Sequence, residues 1–418
     1  MADAPTTSSS PDPWFQSLFA ERIGGASYGK GSEIYKFEKI KRAKRQALAE
    51  HPERALLDFG IGENDEMAHP LVRDALKREV EKLENRGYAD NGPQAFKDAA
   101  AEFMKRQFGV TLDPVTEVVH AIGSKPAYAM LPACFINPGD VTLMTVPGYP
   151  VAGTHTRYYG GEVHKLPLLE QNGFLPDLEA IPADIKPRAK MLIINYPNSP
   201  TGAVASKDFY KRVIDFALKN RIVVVQDAAH ILLTYEGEPF SFLQVDGAKE
   251  VGVEVHSMSK GFNMIGWRLG WVCGHAKIVQ AFADVKDNSD SGQFMAVQHA
   301  AAEALRHAQI PQQVCDKYRR RLKKLVEALN KVGFRAKMPG GTYFLYAKAP
   351  SGAGDRSFKN AEEVSQFLIR EQSVCCVPWD DAGPYLRFSA TYLAKDEAEE
   401  DRLMAETVER LSKMKLRF

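Results

Sequence analysis

Charge imbalance, paired cysteines and long apolar runs are missing from this 418-residue sequence, and each absence removes a class of function. Lysine and arginine number 54 against 53 aspartates and glutamates, which leaves no basic footprint for nucleic acid or an anionic membrane. The basic clusters at 39–45 and 317–324 lie on helical-looking segments and read as solvated faces. Five cysteines (Cys134, Cys273, Cys315, Cys375, Cys376) show no CxxC and no metal-ligand spacing, so they read as reduced core thiols of a cytoplasmic protein. No apolar run approaches the roughly 18 residues of a membrane span. The opening "MADAPTTSSSPDP" has no apolar h-region and reads as a disordered tail over 1–13.

Two nucleotide-binding patterns fail as well. "GGASYGKGS" (24–32) has Gly31 where a P-loop needs a hydroxyl, and no apolar strand precedes it. "GIGEND" (60–65) lacks the third glycine of a dinucleotide fingerprint.

What is present is an alternation of helices and short apolar strands. Helical periodicity marks 71–85 and 93–108. Seven apolar runs follow: 117–122, 141–146, 162–168, 189–195, 221–227, 252–259 and 269–274. Runs apolar at every position, such as Met191–Ile194 and Val223–Val225, need cover on both faces. The expected fold class is therefore α/β, a mainly parallel seven-stranded sheet between helices. The short gap before 269–274 suits one antiparallel strand. Beyond about residue 300, helices at 312–331, 361–372 and 396–415 alternate with "GTYFLYA", "SVCCVP" and "PYLRFSA", as in a smaller α+β domain. The expected division is 14–60 joining the small domain, 61–300 as the large domain and 301–418 as the small one.

Open parallel sheets bind ligands at the carboxyl ends of their strands. Those ends gather Gly123-Ser124-Lys125, Pro147-Gly148-Tyr149, Asn195 to Asn198, Asp227, and Ser257 to Lys260. A lysine forms a Schiff base only when its amine is neutral, which desolvation beside a second cation favours. Arg268 supplies such a cation and suits a phosphate, with Ser257, Ser259 and the N–H groups where a helix begins near Ser124. Asp227, at the end of an apolar strand, needs a cationic partner, and a protonated pyridine nitrogen is one.

"SMSKGFNMIGWRLG" (257–270) resembles the S-x-S-K-x7-R segment of the class I/II aminotransferases, pyridoxal phosphate enzymes of fold type I. "NYPNSPTG" (195–202), "QDAAH" (226–230) and "YLRFSA" (385–390) resemble three further motifs of that family, in the same order. The resemblance runs from about residue 55 to 390. It implies that Lys260 is the Schiff-base lysine and proton shuttle, that Asp227 binds the pyridine nitrogen, and that Asn198 meets the ring's 3-hydroxyl. It implies that Tyr149 stacks on the ring, and that Ser124, Lys125, Ser257, Ser259 and Arg268 hold the phosphate. Tyr88 reaches the phosphate of a neighbouring subunit in a homodimer, and Arg387 grips the substrate α-carboxylate. His230 stands where the family usually has a tyrosine, and is carried over as a catalytic and cofactor-binding residue.

Within the family, "FGIGEND" (59–65) and "GSKPA" (123–127) resemble the LL-diaminopimelate branch of lysine biosynthesis, with 2-oxoglutarate as amino acceptor. That resemblance places Tyr35, Gly62, Lys125, Tyr149, Asn198, Asn288 and Arg387 around the substrate, Asn288 also at the cofactor. The branch's "GYGAEQG" is here the shorter "GYADNG" (87–92), where Asp90 stands in for the acid that meets the distal ammonium. The alternatives are the same chemistry on aspartate, alanine or aromatic amino acids, or a non-catalytic binding protein of the same fold.

Overall fold

The structure is a computed structural model that describes residues 13–30 and 36–418, with side chains from Trp14 to Lys30 and from Glu38 onward. Its centre is a seven-stranded sheet: β1 (Val118–Ala121), β2 (Val141–Val146), β3 (Glu162–Pro167), β4 (Ala189–Asn195), β5 (Val223–Asp227), β6 (Gly252–Ser257) and β7 (Gly270–Gly274). The spatial order is β1-β7-β6-β5-β4-β2-β3. Every pairing is parallel except those of β7, which runs antiparallel between β1 and β6. All seven expected strands form.

Eleven longer helices accompany them: α1 (Lys36–Glu50), α2 (Pro70–Val80), α3 (Gln94–Phe108), α4 (Ser124–Phe135), α5 (Val151–Tyr158), α6 (Lys207–Asn220), α7 (Ala276–Asp287), α8 (Met295–Leu305), α9 (Gln309–Lys331), α10 (Ala361–Gln372) and α11 (Glu397–Ser412). Successive strand residues point to opposite faces, so the sheet builds two cores. Leu192, Ile194 and Val224 pack with Phe103 of α3 and Phe209 of α6. Ile193, Val225 and Val255 pack with Leu131 of α4 and Phe282 of α7. Each such buried side chain contributes about 1.5–3 kcal/mol.

A third core collects Leu57, Tyr318 and Leu322 of α9, Phe344, Leu368 of α10, Phe388 and Leu411 of α11. Its sheet has three antiparallel strands, β8 (Phe344–Lys348), β9 (Val377–Trp379) and β10 (Tyr385–Ser389), in the order β9-β10-β8. Leu57–Asp58 pairs parallel with Val374–Cys375, and Ile40, Ala43 and Ala47 of α1 pack on Ile369 and Cys375. Helix α1 and the strand after it are thereby fixed to the C-terminal core.

The 317–324 cluster corrects its expectation of a solvated face. Arg321 is buried and Lys317 part-buried, with Lys317 Nζ 2.9 Å from Asp65 and Arg321 Nε donating to Glu400 at 2.7 Å. Acids far away in the chain neutralise these cations, which local spacing does not reveal.

Candidate active site

The direction of β7 brings the polar groups together. Because β7 runs against its neighbours, its first residue, Gly270, pairs with Ala121 at the end of β1 and with Ser257 at the end of β6. Arg268, two residues before that start, therefore lies between the segment 123–125 and the segment 257–260. Beside β6, Asp227 ends β5 and pairs in register with Asn195 at the end of β4. Asn195 Nδ2 donates to the Asp227 carbonyl at 3.0 Å.

Lys260 sits in a single helical turn, Met258–Gly261, that Ser257 caps by accepting from Ser259 N–H. Its Nζ donates to the Gly62 carbonyl at 3.0 Å and lies 5.3 Å from the centre of the Tyr343 ring. Burial, with Arg387 and Arg268 nearby, lowers its pKa from 10.5 to about 8, against the opposing charges of Glu63 and Asp227. A pKa near 8 leaves roughly a tenth of the amine neutral at pH 7, several hundred times the fraction of an ordinary lysine. Burial raises Asp227 to about 6, although the Ala229 N–H donates to its carboxylate at 3.0 Å. His230 is buried beside Tyr343 and Phe344, and desolvation together with the charges of Lys260 and Arg387 keeps its imidazole neutral.

Two anion sites flank this centre. Arg387 on β10 is 7% exposed, lies 4.0 Å above the Phe344 ring, and donates to the Gly60 carbonyl at 3.4 Å. Among the described residues no carboxylate pairs with it, and burial lowers its pKa to about 10. An unpaired buried guanidinium is costly unless an anion joins it. The second site is the N-terminus of α4, where Gly123 (φ +79°) supplies no capping side chain and leaves first-turn N–H groups open. A Cβ on Gly123 would lie 2.4 Å from Arg268 Nη2, so the guanidinium sits directly over that helix start. Arg268 Nη1 is held by the Ile265 carbonyl at 2.9 Å and lies 3.5 Å from Ser259 Oγ.

Residues 54–401 match the family described as aminotransferase class I and II. The chain belongs to the class I and II aminotransferases. It is therefore a transaminase that works with pyridoxal phosphate. This aminotransferase is 57% identical to the LL-diaminopimelate aminotransferase of Methanocaldococcus jannaschii and 55% identical to that of Methanococcus maripaludis. Each alignment covers 97% of this chain and all of the relative. Among solved structures, substrate-bound BacF from Bacillus subtilis is similar at a TM-score of 0.85 and 29% identity, covering 96% of this chain and 98% of its own. A mutant aspartate aminotransferase of Thermus thermophilus reaches 0.82 at 25% identity, covering 95% of this chain and 99% of its own.

The residues present fit the cofactor. Among the described residues, Asn198 Nδ2, His230 Nδ1 and Arg387 Nε are buried without hydrogen-bond partners, as expected where a ligand completes the set. Asn198 is fully buried, and its Oδ1 is already used by Thr201 Oγ1 at 2.6 Å, so only the amide N–H faces a ligand. The phosphate suits the α4 terminus, Ser124, Ser259 and Arg268, and a ring cation would hold Asp227 ionised.

The chain thus gathers Gly62, Ser124, Asn198, Asp227, His230, Ser257, Ser259, Lys260, Arg268 and Arg387. Lys125 and Tyr149 are exposed at the rim, on α4 and after β2. Tyr88 is 84% exposed. Asn288 is exposed at the end of α7, its Nδ2 donating to the Asp284 carbonyl at 2.9 Å. Tyr35 lies outside the described residues. Three site residues escaped the sequence reading. Tyr343 donates to the Gly62 carbonyl at 2.6 Å, Asn64 Nδ2 donates to the Lys260 carbonyl at 2.8 Å, and buried Tyr128 on α4 is held protonated by burial and by the charge of Asp227. The glycine pair of 60–62 marked the loop, but no local signal marked Tyr343 or Tyr128.

Proposed function

We propose that this aminotransferase moves an amino group between LL-diaminopimelate and 2-oxoglutarate, with tetrahydrodipicolinate and glutamate as the other pair. The observation that carries the site assignment is buried Arg387, which has no acid of its own and shares the 60–62 loop with Lys260. The two relatives above 50% identity carry the substrate.

Bound pyridoxal phosphate supplies a carbonyl for the amino group and a ring that accepts the electron pair released at the substrate's α-carbon. Lys260 moves the proton at that carbon, a task suited to an amine with a pKa near neutrality. Arg387 binds the α-carboxylate as a two-toothed fork and fixes which bond at the α-carbon faces Lys260. Asp227 holds its charge against the ring nitrogen. Asn198 and neutral His230 would offer hydrogen bonds to the ring's 3-oxygen, and Tyr149 would stack on the ring. Ser124, Lys125, Ser257, Ser259 and Arg268 hold the phosphate. Gly62, Lys125, Asn288 and Tyr35 complete the substrate site, with Asp90 toward the distal ammonium.

The working unit is a cytoplasmic homodimer in which Tyr88 acts on the neighbouring subunit's phosphate. Among the described residues no helix is long and apolar enough to cross a membrane. Residues 61–300 form the large domain, and 14–60 join the small domain of 301–418.

The test is a half-reaction screen of the cofactor-loaded protein with LL-diaminopimelate, glutamate, aspartate, alanine and aromatic amino acids. LL-diaminopimelate and glutamate convert the cofactor absorbance, and Lys260→Ala abolishes conversion. Conversion by an aromatic amino acid alone would overturn the substrate and keep the class. Turnover by Lys260→Ala would overturn the site.

A further inference from the structure

The loop 59–65 crosses from the C-terminal core to the large sheet, and nearly every residue of it is tied to something different. The Phe59 carbonyl accepts from Ser389 N–H at 2.8 Å, and the Ile61 carbonyl accepts from Thr391 Oγ1 at 2.9 Å. The Gly60 carbonyl meets Arg387, the Gly62 carbonyl meets Lys260 Nζ, and Asn64 holds the Lys260 backbone. Two of these positions are glycines, with no side chain to pack the loop in place. Besides these contacts it is anchored at each end.

One end is the β10 register. The other is Asp65, whose side chain is 4% exposed. Its carboxylate takes both oxygens to Lys317 Nζ at 2.9 Å, accepts from Tyr318 Oη at 3.2 Å, and pairs with Arg321 at 3.0 Å. Arg321, 1% exposed on α9, also donates to Glu400 on α11 at 2.7 Å and to the Tyr392 carbonyl at 2.8 Å. Tyr392 lies just beyond β10, the strand that carries Arg387. One guanidinium therefore joins the loop behind Lys260 to the chain behind Arg387.

We propose that Asp65 is a positioning residue for the transfer reaction. Docked on Arg321 and Lys317, it sets the loop so that one pair of carbonyls addresses Arg387 and Lys260 at a fixed separation, the separation between a substrate's α-carboxylate and its α-carbon. The proposal rests on the assignment of Lys260 and Arg387 made above. Without Asp65, Arg321 keeps Glu400 and its carbonyls, and the joint between α9 and α11 survives. The loop alone loses an anchor, at the end nearest Lys260. Binding of a carboxylate substrate suffers, while the phosphate cradle at α4 and Arg268, which Asp65 does not touch, keeps its cofactor.

The experiment compares Asp65→Asn with the wild type, both cofactor-loaded, by the dissociation constants of glutarate and of pyridoxal phosphate, by KM and kcat, and by melting temperature. The expected result is glutarate bound about tenfold more weakly or worse, with KM for the 2-oxo acid raised to match and cofactor affinity within about twofold of the wild type. Lys317→Gln removes one donor to Asp65 and shows the same split more weakly; it decides the matter if Asp65→Asn does not fold. Leu411→Ala opens the distant C-terminal core and lowers the melting temperature without altering glutarate binding. Wild-type glutarate affinity in both loop variants, or an equal loss in Leu411→Ala, overturns the proposal. A wild type whose glutarate affinity is indifferent to Arg387→Gln would instead refute the underlying site assignment.

Discussion

Lys260 is a lysine whose folded environment disfavours its charge, and that has a measurable consequence in the cofactor-free chain. Its pKa is about 8 in the fold against 10.5 for an ordinary lysine, so between those values the unfolded chain binds more protons. Stability therefore rises with pH across that window, and below pH 8 the buried ammonium costs about 3 kcal/mol. Lys260→Met removes this term. Urea denaturation is expected to show the variant gaining stability over the wild type at pH 7, by an advantage that shrinks toward pH 10.5. An advantage equal at both ends would sink the argument. Lys260 was legible in the sequence because a charge among apolar neighbours stands out locally, and Arg387 because "YLRFSA" resembles a family motif. Tyr343 and Asn64 were not, since their roles exist only after loops nearly 200 or more residues from their partners in sequence have met.

At the scale of elements, the central β-strands were legible because runs such as Met191–Ile194 and Val223–Val225 are apolar at every position, which a sheet covered on both faces requires. The ion cluster on α9 was not, because a basic helix face looks the same whether water or a distant acid neutralises it. The start of α4 shows how one small residue serves an element and a site together. Gly123 takes a positive-φ, extended-ψ conformation that is essentially confined to glycine, and leaves the room that Arg268 fills. Gly123→Ala adds backbone strain of about 1–3 kcal/mol and drives a methyl group into the guanidinium. Absorbance titration is expected to show pyridoxal phosphate bound at least about tenfold more weakly. Gly109→Ala is the control. It stands at φ +67° at the end of α3 with nothing within 4 Å of the added carbon, so it carries the strain and leaves cofactor affinity unchanged.

At the scale of the whole molecule, the large sheet supplies the cofactor's groups and the C-terminal core supplies Arg387, so the site exists only where the two meet. That much follows from the order of elements along one chain. In the homodimer proposed above, Tyr88 is the residue that serves the neighbouring subunit. The loop holding it is firmly anchored: Asp90 N–H donates to the Ser291 carbonyl at 3.2 Å, Lys286 Nζ donates to the Asp90 carbonyl at 2.5 Å, and Asn91 Nδ2 donates to Asp287 at 2.8 Å. A tyrosine exposed on a fixed loop is presented outward, as a residue that serves a second copy must be. Mixed dimers test this directly. Lys260→Ala and Tyr88→Ala each disable every site of their own homodimers. If Tyr88 acts across the interface, a mixed dimer places both lesions in one site and leaves the other intact. Random reassembly of equal amounts then restores about a quarter of wild-type activity, since half the dimers are mixed and each has one working site. If Tyr88 served its own subunit, each site of the mixed dimer would carry one lesion, and mixing would restore nothing beyond the sum of the parents.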